Sequence, residues 1–335
     1  MCRFDITAMC QVYSALKLLF YVSKILGFAP YTLLENGILL PSRAAKRYSI
    51  FLFICVITYN MDIFEIIKFE DTPIVFTGLM LIYSCSWVTH LLSVVISIRS
   101  HKKFEKITQK FNALDSMLHQ TLQDHKKQFY TVLAQLGVGF ISSGSVLFWN
   151  SFYVDKKADN FFDVVLKLAH IPVQFIWAFS DFIVVIQYTN LVLFTGQHFS
   201  HINIKFAELV HLCSQSPSTA HVSTTVTIRS VSTITSPKPV GLQLQDQVSA
   251  VVDIHNKLLG TVASISSAYS LQILFHVAKV FVQITFPLYY FLISFSNEDA
   301  APFRLNTFFL CLWSSIQLIL ITACCDYTRR QVSVY

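Results

Sequence analysis

The stretch SISSAYSLQILFHVAKVFVQITFPLYYFLISF, residues 264–295, carries one charged side chain, Lys279, in a run well beyond the about 20 residues a helix needs to cross a bilayer. Lipid offers no partner to backbone N–H and C=O groups, so a run of this kind reads as a spanning α-helix that satisfies them internally. Its few polar residues are ordered. Gln272, His276, Lys279 and Gln283 follow one another at four, three and four residues, which puts them on one helical face. A polar face at bilayer depth is predicted to meet protein or water rather than lipid.

Five more apolar runs of spanning length lie at residues 48–67, 73–98, 130–153, 164–194 and 306–325. The expected fold is therefore all-α, a polytopic transmembrane helical bundle with six spans. Composition agrees: 54% of the residues are hydrophobic and 13% charged, where a soluble domain carries about 25% charged residues. A mean hydropathy of +0.54 leaves too little polar surface to cover a water-soluble particle. The bilayer itself is thus the first partner, and the net charge of +6 reads as topology rather than nucleic-acid binding.

The remaining segments are short. Residues 1–47 form a cytosolic N-terminal segment, without a small-residue cleavage site, in which apolar Leu18 to Ala29, flanked by Lys17 and interrupted by Lys24, predicts a helix lying on the interface. Residues 48–325 hold the bundle. Within it, Arg99 to Lys127 repeats apolar Phe104, Ile107, Phe111, Leu114 and Leu118 at helical spacing among lysines, an amphipathic helical extension. Residues 213–240, rich in Ser and Thr, form a flexible cytosolic loop, and 326–335 a short cytosolic tail.

Lysines and arginines fix the orientation, because cytosolic loops hold the excess. Of the 25, nineteen fall on the side shared by the N-terminus, five on the other, and Lys279 lies within a span. Both ends of the chain are predicted in the cytosol. None of the eight cysteines falls in an external segment, so the thiols are expected to stay reduced and inert, the vicinal pair Cys324 and Cys325 included.

A lone charge in a membrane needs a partner. In the fourth span Gln174, Trp177, Asp181 and Tyr188 share a face, and Asp181 sits at a depth matching Lys279 and His90 of the second span. We expect Asp181 and Lys279 to pair inside the bundle with His90 nearby. Two readings of this cluster stay open: a contact that holds the bundle together, or the floor of a ligand vestibule. For the second, Gln174, Gln272 and His276 supply polar contacts, and Trp149, Trp177, Tyr269 and Trp313 are candidate walls, since aromatic faces with a few polar groups suit sugars and flat alkaloids.

Enzyme chemistry finds no motif. The sequence lacks a Gly-rich phosphate loop, Gly-x-Ser-x-Gly and His-Glu-x-x-His. His119 and His125 fall on different helical faces, and His198 with His201 makes only a pair, so neither metal nor cofactor is expected. A rhodopsin-type receptor would place its N-terminus outside, and a transporter would show repeated halves with broken helices; both remain as alternative functions.

The arrangement resembles the insect gustatory receptors, relatives of the insect odorant receptors. The likeness rests on Lys24-Ile-Leu-Gly-Phe-Ala-Pro30 before the first span, the basic helical loop after the second, Ile254-His-Asn-Lys-Leu258 leading to Ala268-Tyr-Ser-Leu-Gln-Ile-Leu274, and a sixth span with Trp313 ending in Ala323-Cys-Cys-Asp-Tyr-Thr-Arg-Arg-Gln331. The resemblance implies a plasma-membrane chemoreceptor for a small external tastant, such as a sugar or bitter compound. It further implies a ligand-gated cation channel assembled as a homo- or hetero-tetramer of gustatory receptor subunits. The family has seven helices, the last lining the pore, and its Thr-Tyr, five apolar residues, Gln-Phe signature has no counterpart after Tyr327. The six spans accordingly read as seven without the pore helix, in a truncated chain or a non-conducting partner subunit.

Overall fold

In the computed structural model of the protein, residues 13–33, 39–67, 73–118, 122–154, 161–215, 240–293 and 301–333 are described. They form eight helices and one small hairpin: α1 (Tyr13–Ile25), β1 (Tyr31–Leu33), β2 (Leu39–Pro41), α2 (Arg43–Ile67), α3 (Pro73–Arg99), α4 (His101–Leu118), α5 (Leu122–Val154), α6 (Phe161–Gln215), α7 (Val240–Ile293) and α8 (Ala301–Val332). Over its described residues, each of the six apolar runs falls in its own helix, α2, α3, α5, α6, α7 or α8. Among the described residues, four segments are long and apolar enough to cross a membrane: Met80–Arg99, Ala178–His211, Gln245–Ile293 and Thr307–Val332. The chain is a polytopic helical membrane protein.

Two helices run much further than their apolar stretches suggest. At 1.5 Å per residue, the 55 residues of α6 and 54 of α7 each extend about 80 Å, more than twice the hydrocarbon thickness. Beyond the apolar runs read from the sequence, α6 and α7 meet α4, whose Leu114 and Leu118 pack on Phe199 and Ile202 of α6 and Leu258 of α7 as a second core. The apolar stripe of α4 explains this: Ile107, Phe111, Leu114 and Leu118 are buried, whereas Lys102, Lys103 and Lys106 face outward. The turn between α3 and α4 is at Ser100, whose carbonyl accepts from the N–H groups of Lys103 and Phe104 and so starts the second helix. Most of the loop expected at 213–240 lies outside the described residues; α6 continues to Gln215 and α7 starts at Val240.

The N-terminal helix does more than lie on a surface. α1 packs on α5 and α6, burying Leu19 and Ser23, and the Ser23 hydroxyl is met by Gln187 Nε2 of α6 at 2.6 Å. The helix ends at Gly27, whose φ of +81° lies in the left-handed region that costs glycine little. Phe28, Ala29 and Tyr31 then turn inward, and burial pushes the Tyr31 phenol above its ordinary pKa. The antiparallel pair β1–β2 follows, with Thr32 opposite Leu40, and delivers the chain to Ser42, the N-cap of α2, whose Oγ accepts from the Ala45 amide at 3.2 Å.

α6 is the axle of the bundle. In its most apolar window 78% of the residues are buried, against 33% in Met80–Arg99 and 28% in the windows of α7 and α8. A helix enclosed in this way meets other helices rather than lipid, and several of its polar groups are satisfied by them. Asn190 Nδ2 donates to Gln135 Oε1 of α5 at 2.6 Å, Val192 O accepts from Thr328 of α8 at 2.9 Å, and Asn203 Nδ2 donates to Gln331 O at 2.8 Å. Such contacts replace the hydrophobic drive that helices lack in lipid.

Candidate functional site

The polar face read at the start of the sequence points into the bundle. Gln272, His276 and Lys279 of α7 are each no more than 2% exposed, and Gln283 is half-buried. The surface that receives them is a matching stripe on α3, Ser86, His90, Ser93 and Ser97, spaced four, three and four residues and buried throughout. The two stripes run antiparallel. Gln283 Nε2 donates to Ser86 Oγ at 3.4 Å, and Gln272 Nε2 donates to Ser93 O at 3.3 Å. The same register continues along α7 toward α4, where Lys103 donates to Ser267 O at 3.0 Å and Lys110 to Gly260 O at 2.8 Å.

At the middle of this seam the Lys279 ammonium meets the Asp181 carboxylate of α6 in a buried ion pair. Asp181 reaches the seam because Phe182 and Ile183, both fully buried beside it, fix the rotation of α6. His90 lies under the edge of Phe28, with ring centroids 5.4 Å apart, and shares the electrostatic surroundings of Asp181 and Lys279. His276 faces the other way. Its Nε2–H donates to Gln317 Oε1 of α8 at 2.8 Å, which leaves Nδ1 of the neutral ring as a hydrogen-bond acceptor. Gln283 Oε1 takes the Ser314 hydroxyl of α8 at 3.4 Å, so this residue joins α3 and α8 across α7.

The structure thus brings His90, Asp181, Gln272, His276 and Lys279 together. Trp313 joins them at one remove: its ring lies 4.5 Å from that of Phe182, next to Asp181. Tyr269 does not. It sits ten residues before Lys279, about 15 Å along α7 toward the α4 end, in an aromatic group with Phe104 at 5.3 Å and Tyr188 at 5.8 Å. Trp149 belongs to α5 and Gln174 and Trp177 to α6, and their side chains lie outside the described residues.

Sequence reading missed the partners that complete the seam, Ser86 and Ser93 on α3 and Ser314 and Gln317 on α8. A signal was present in the four-three-four spacing of Ser86, His90, Ser93 and Ser97, which mirrors the spacing on α7. Serine is a weak marker because its hydroxyl can satisfy itself on the carbonyl one turn back, as Ser315 and Thr89 do.

Not all polar atoms in the seam are satisfied. His90 Nδ1, His276 Nδ1 and Gln272 Oε1 are buried with no hydrogen-bond partner among the described residues. Such atoms are costly in a low-dielectric interior, and these three lie along the seam that holds the ion pair. The family model for the 7tm chemosensory receptors matches residues 16–333, from within α1 to just past the end of α8. The chain belongs to this chemosensory receptor family. No individual curated protein matches it. Within this chemosensory receptor the matched region contains every residue of the seam, so the polar core is part of the receptor fold and not an appendage to it.

Proposed function

We propose that the protein is a gustatory receptor of the plasma membrane, a subunit of a ligand-gated cation channel that responds to a small external tastant. Membership of the chemosensory receptor family supports the class, and the excess of lysine and arginine at one end supports a cytosolic N-terminus. The observation that carries the ligand reading is the set of unpaired buried atoms, His90 Nδ1, His276 Nδ1 and Gln272 Oε1, beside the Asp181–Lys279 pair. Gln272 Oε1 and His276 Nδ1 are hydrogen-bond acceptors. A tastant with several O–H or N–H groups, such as a sugar or an alkaloid, offers the donors they lack. The ligand's preference for one arrangement of α3, α7 and α8 is what shifts the channel, assembled as a homo- or hetero-tetramer, toward opening.

The test is functional expression with other gustatory receptor subunits, challenged with a panel of sugars and bitter alkaloids while cation current is recorded. Gln272→Leu removes one unpaired acceptor and is expected to abolish or shift the response while the amount of protein at the cell surface stays unchanged. An unchanged dose response in both Gln272→Leu and His276→Phe would remove the seam from ligand recognition. An N-terminal tag labelled from outside living cells would overturn the orientation.

A further inference from the structure

Two lipid-facing stripes of the bundle end in arginine at the same level. On α2, Phe51 and Ile54 are exposed by 61% and 54%, and one turn earlier on the same face stands exposed Arg47. On α3, Val88, Leu91 and Val95 are exposed at spacings of three and four, and four residues later the stripe ends in exposed Arg99. α2 and α3 are consecutive, packed together and joined by a short connection, so they run in opposite directions, and the start of one lies beside the end of the other. Large apolar side chains that stop at a ring of cations mark the depth at which hydrocarbon gives way to headgroups.

The cations do not stop at two. Arg43 and Lys46 precede Arg47 at the start of α2, and Lys102 and Lys106 follow Arg99 on the outer face of α4. The hairpin β1–β2 holds the two groups in place, touching α2 through β1 and α4 through β2, and Tyr48 Oη ties α2 to Ile25 O at 2.7 Å. None of Arg43, Lys46, Arg47, Lys102 and Lys106 forms an ion pair among the described residues, and Glu105 accepts instead from Gln109 Nε2 at 3.3 Å. The contrast within the molecule is plain: Arg329 and Arg330 at the end of α8 both pair with Asp326. Three cations in the first five residues of α2, where no acidic residue stands, also oppose the positive end of the helix dipole. Ser42 already caps that end, so the unpaired charge belongs to the side chains.

We propose that Arg43, Lys46, Arg47, Arg99, Lys102 and Lys106 form a collar that binds the anionic headgroups of phospholipids in the adjoining leaflet. The partner is a membrane lipid because the same two faces that carry the cations continue directly into exposed apolar side chains, which a soluble anion or an acidic peptide would leave in contact with nothing. The collar anchors the β1–β2 hairpin, and through it α1 and α4, to a leaflet that carries phosphatidylserine. This rests on the cytosolic placement of the N-terminus proposed above for assigning the leaflet, but not for the binding itself.

The experiment places the full chain in nanodiscs of phosphatidylcholine with or without phosphatidylserine, which present the same lipid to both ends and so separate the collar from the orientation. The phosphatidylserine retained on the protein after exchange into detergent and the thermal midpoint in each disc are measured. Wild type is expected to retain phosphatidylserine and to melt higher in its presence, less so at high salt. Each cation near an anionic surface is worth about a fivefold change in affinity. The triple variant R43Q/K46Q/R47Q should therefore weaken retention roughly a hundredfold, and K102Q/K106Q less, while R329Q/R330Q, whose charges are already paired, should behave as wild type. In phosphatidylcholine alone the triple variant should melt no lower than wild type, since it loses only charge that opposed the helix dipole. Retention unchanged in both collar variants, equal loss in R329Q/R330Q, or a triple variant that melts much lower in phosphatidylcholine would each overturn the proposal.

Discussion

Lys279 of α7 and Asp181 of α6, ninety-eight residues apart in the chain, meet in a buried ion pair at the centre of the bundle. Removing one partner strands the other charge, which in buried pairs costs about 3–5 kcal/mol, whereas removing both leaves none to strand. Lys279→Met and Asp181→Asn should each lower the unfolding midpoint in detergent strongly. The double variant D181L/K279M should recover most of the loss. If the double variant is as damaged as the singles, the pair does not hold the bundle.

Among the described residues, the His276 ring has one hydrogen-bond partner, Gln317, at 2.8 Å. Gln317→Leu leaves the imidazole with neither nitrogen satisfied and is expected to cost about 1–3 kcal/mol. Changing both residues, H276F/Q317L, replaces the pair by apolar groups and should cost less than Gln317→Leu alone. Denaturant unfolding of the purified variants orders the two.

Gly139 of α5 lets the ring of Phe182 lie directly against the helix backbone; a Cβ there would overlap that ring and stand 3.2 Å from Phe179. Gly139→Ala should destabilise the bundle by about 1–3 kcal/mol through this overlap. Shrinking the opposing side chain in G139A/F182L should return part of the loss, a recovery visible as a higher melting midpoint than the single variant.

Lys110 fastens α4 to α7 through Gly260 O at 2.8 Å and Ser264 Oγ at 2.7 Å. Hydrogen bonds from a charged donor contribute about 1.5–3 kcal/mol. Lys110→Met should therefore raise amide exchange in α4 selectively, while the exchange of α6 at Ile183 and Val185 stays as slow as in wild type.

The membrane architecture was legible because it depends on one strong signal, the length of apolar runs, and each run did fall in a separate helix. The ends of α6 and α7 were not. Past residue 194, Thr195, Gln197, His198 and His201 break the apolar run without breaking the helix, since helical hydrogen bonding continues wherever a second core awaits it, here Phe199 and Ile202 against Leu114. The position of Asp181 beside Lys279 could be anticipated because an isolated charge in lipid permits few solutions. The position of Tyr269 could not: aromatic residues are welcome in any packed interior, so their presence in a span carries no depth information. Gln317 escaped notice for a related reason, as a single amide in an apolar helix is inexpensive when another helix supplies its partner.

The enclosure of α6 has a further consequence for how the molecule is made. Translation proceeds at about 5–20 residues per second, so Asp181 leaves the ribosome roughly 5–20 s before Lys279, which is 98 residues downstream. Over that interval the most sheltered helix of the finished protein has neither α7 nor α8 beside it. Its carboxylate has no ammonium to meet until Lys279 follows. Between the emergence of α6 and that of α7, the helix that ends up most enclosed therefore carries a charge whose partner has not yet been made.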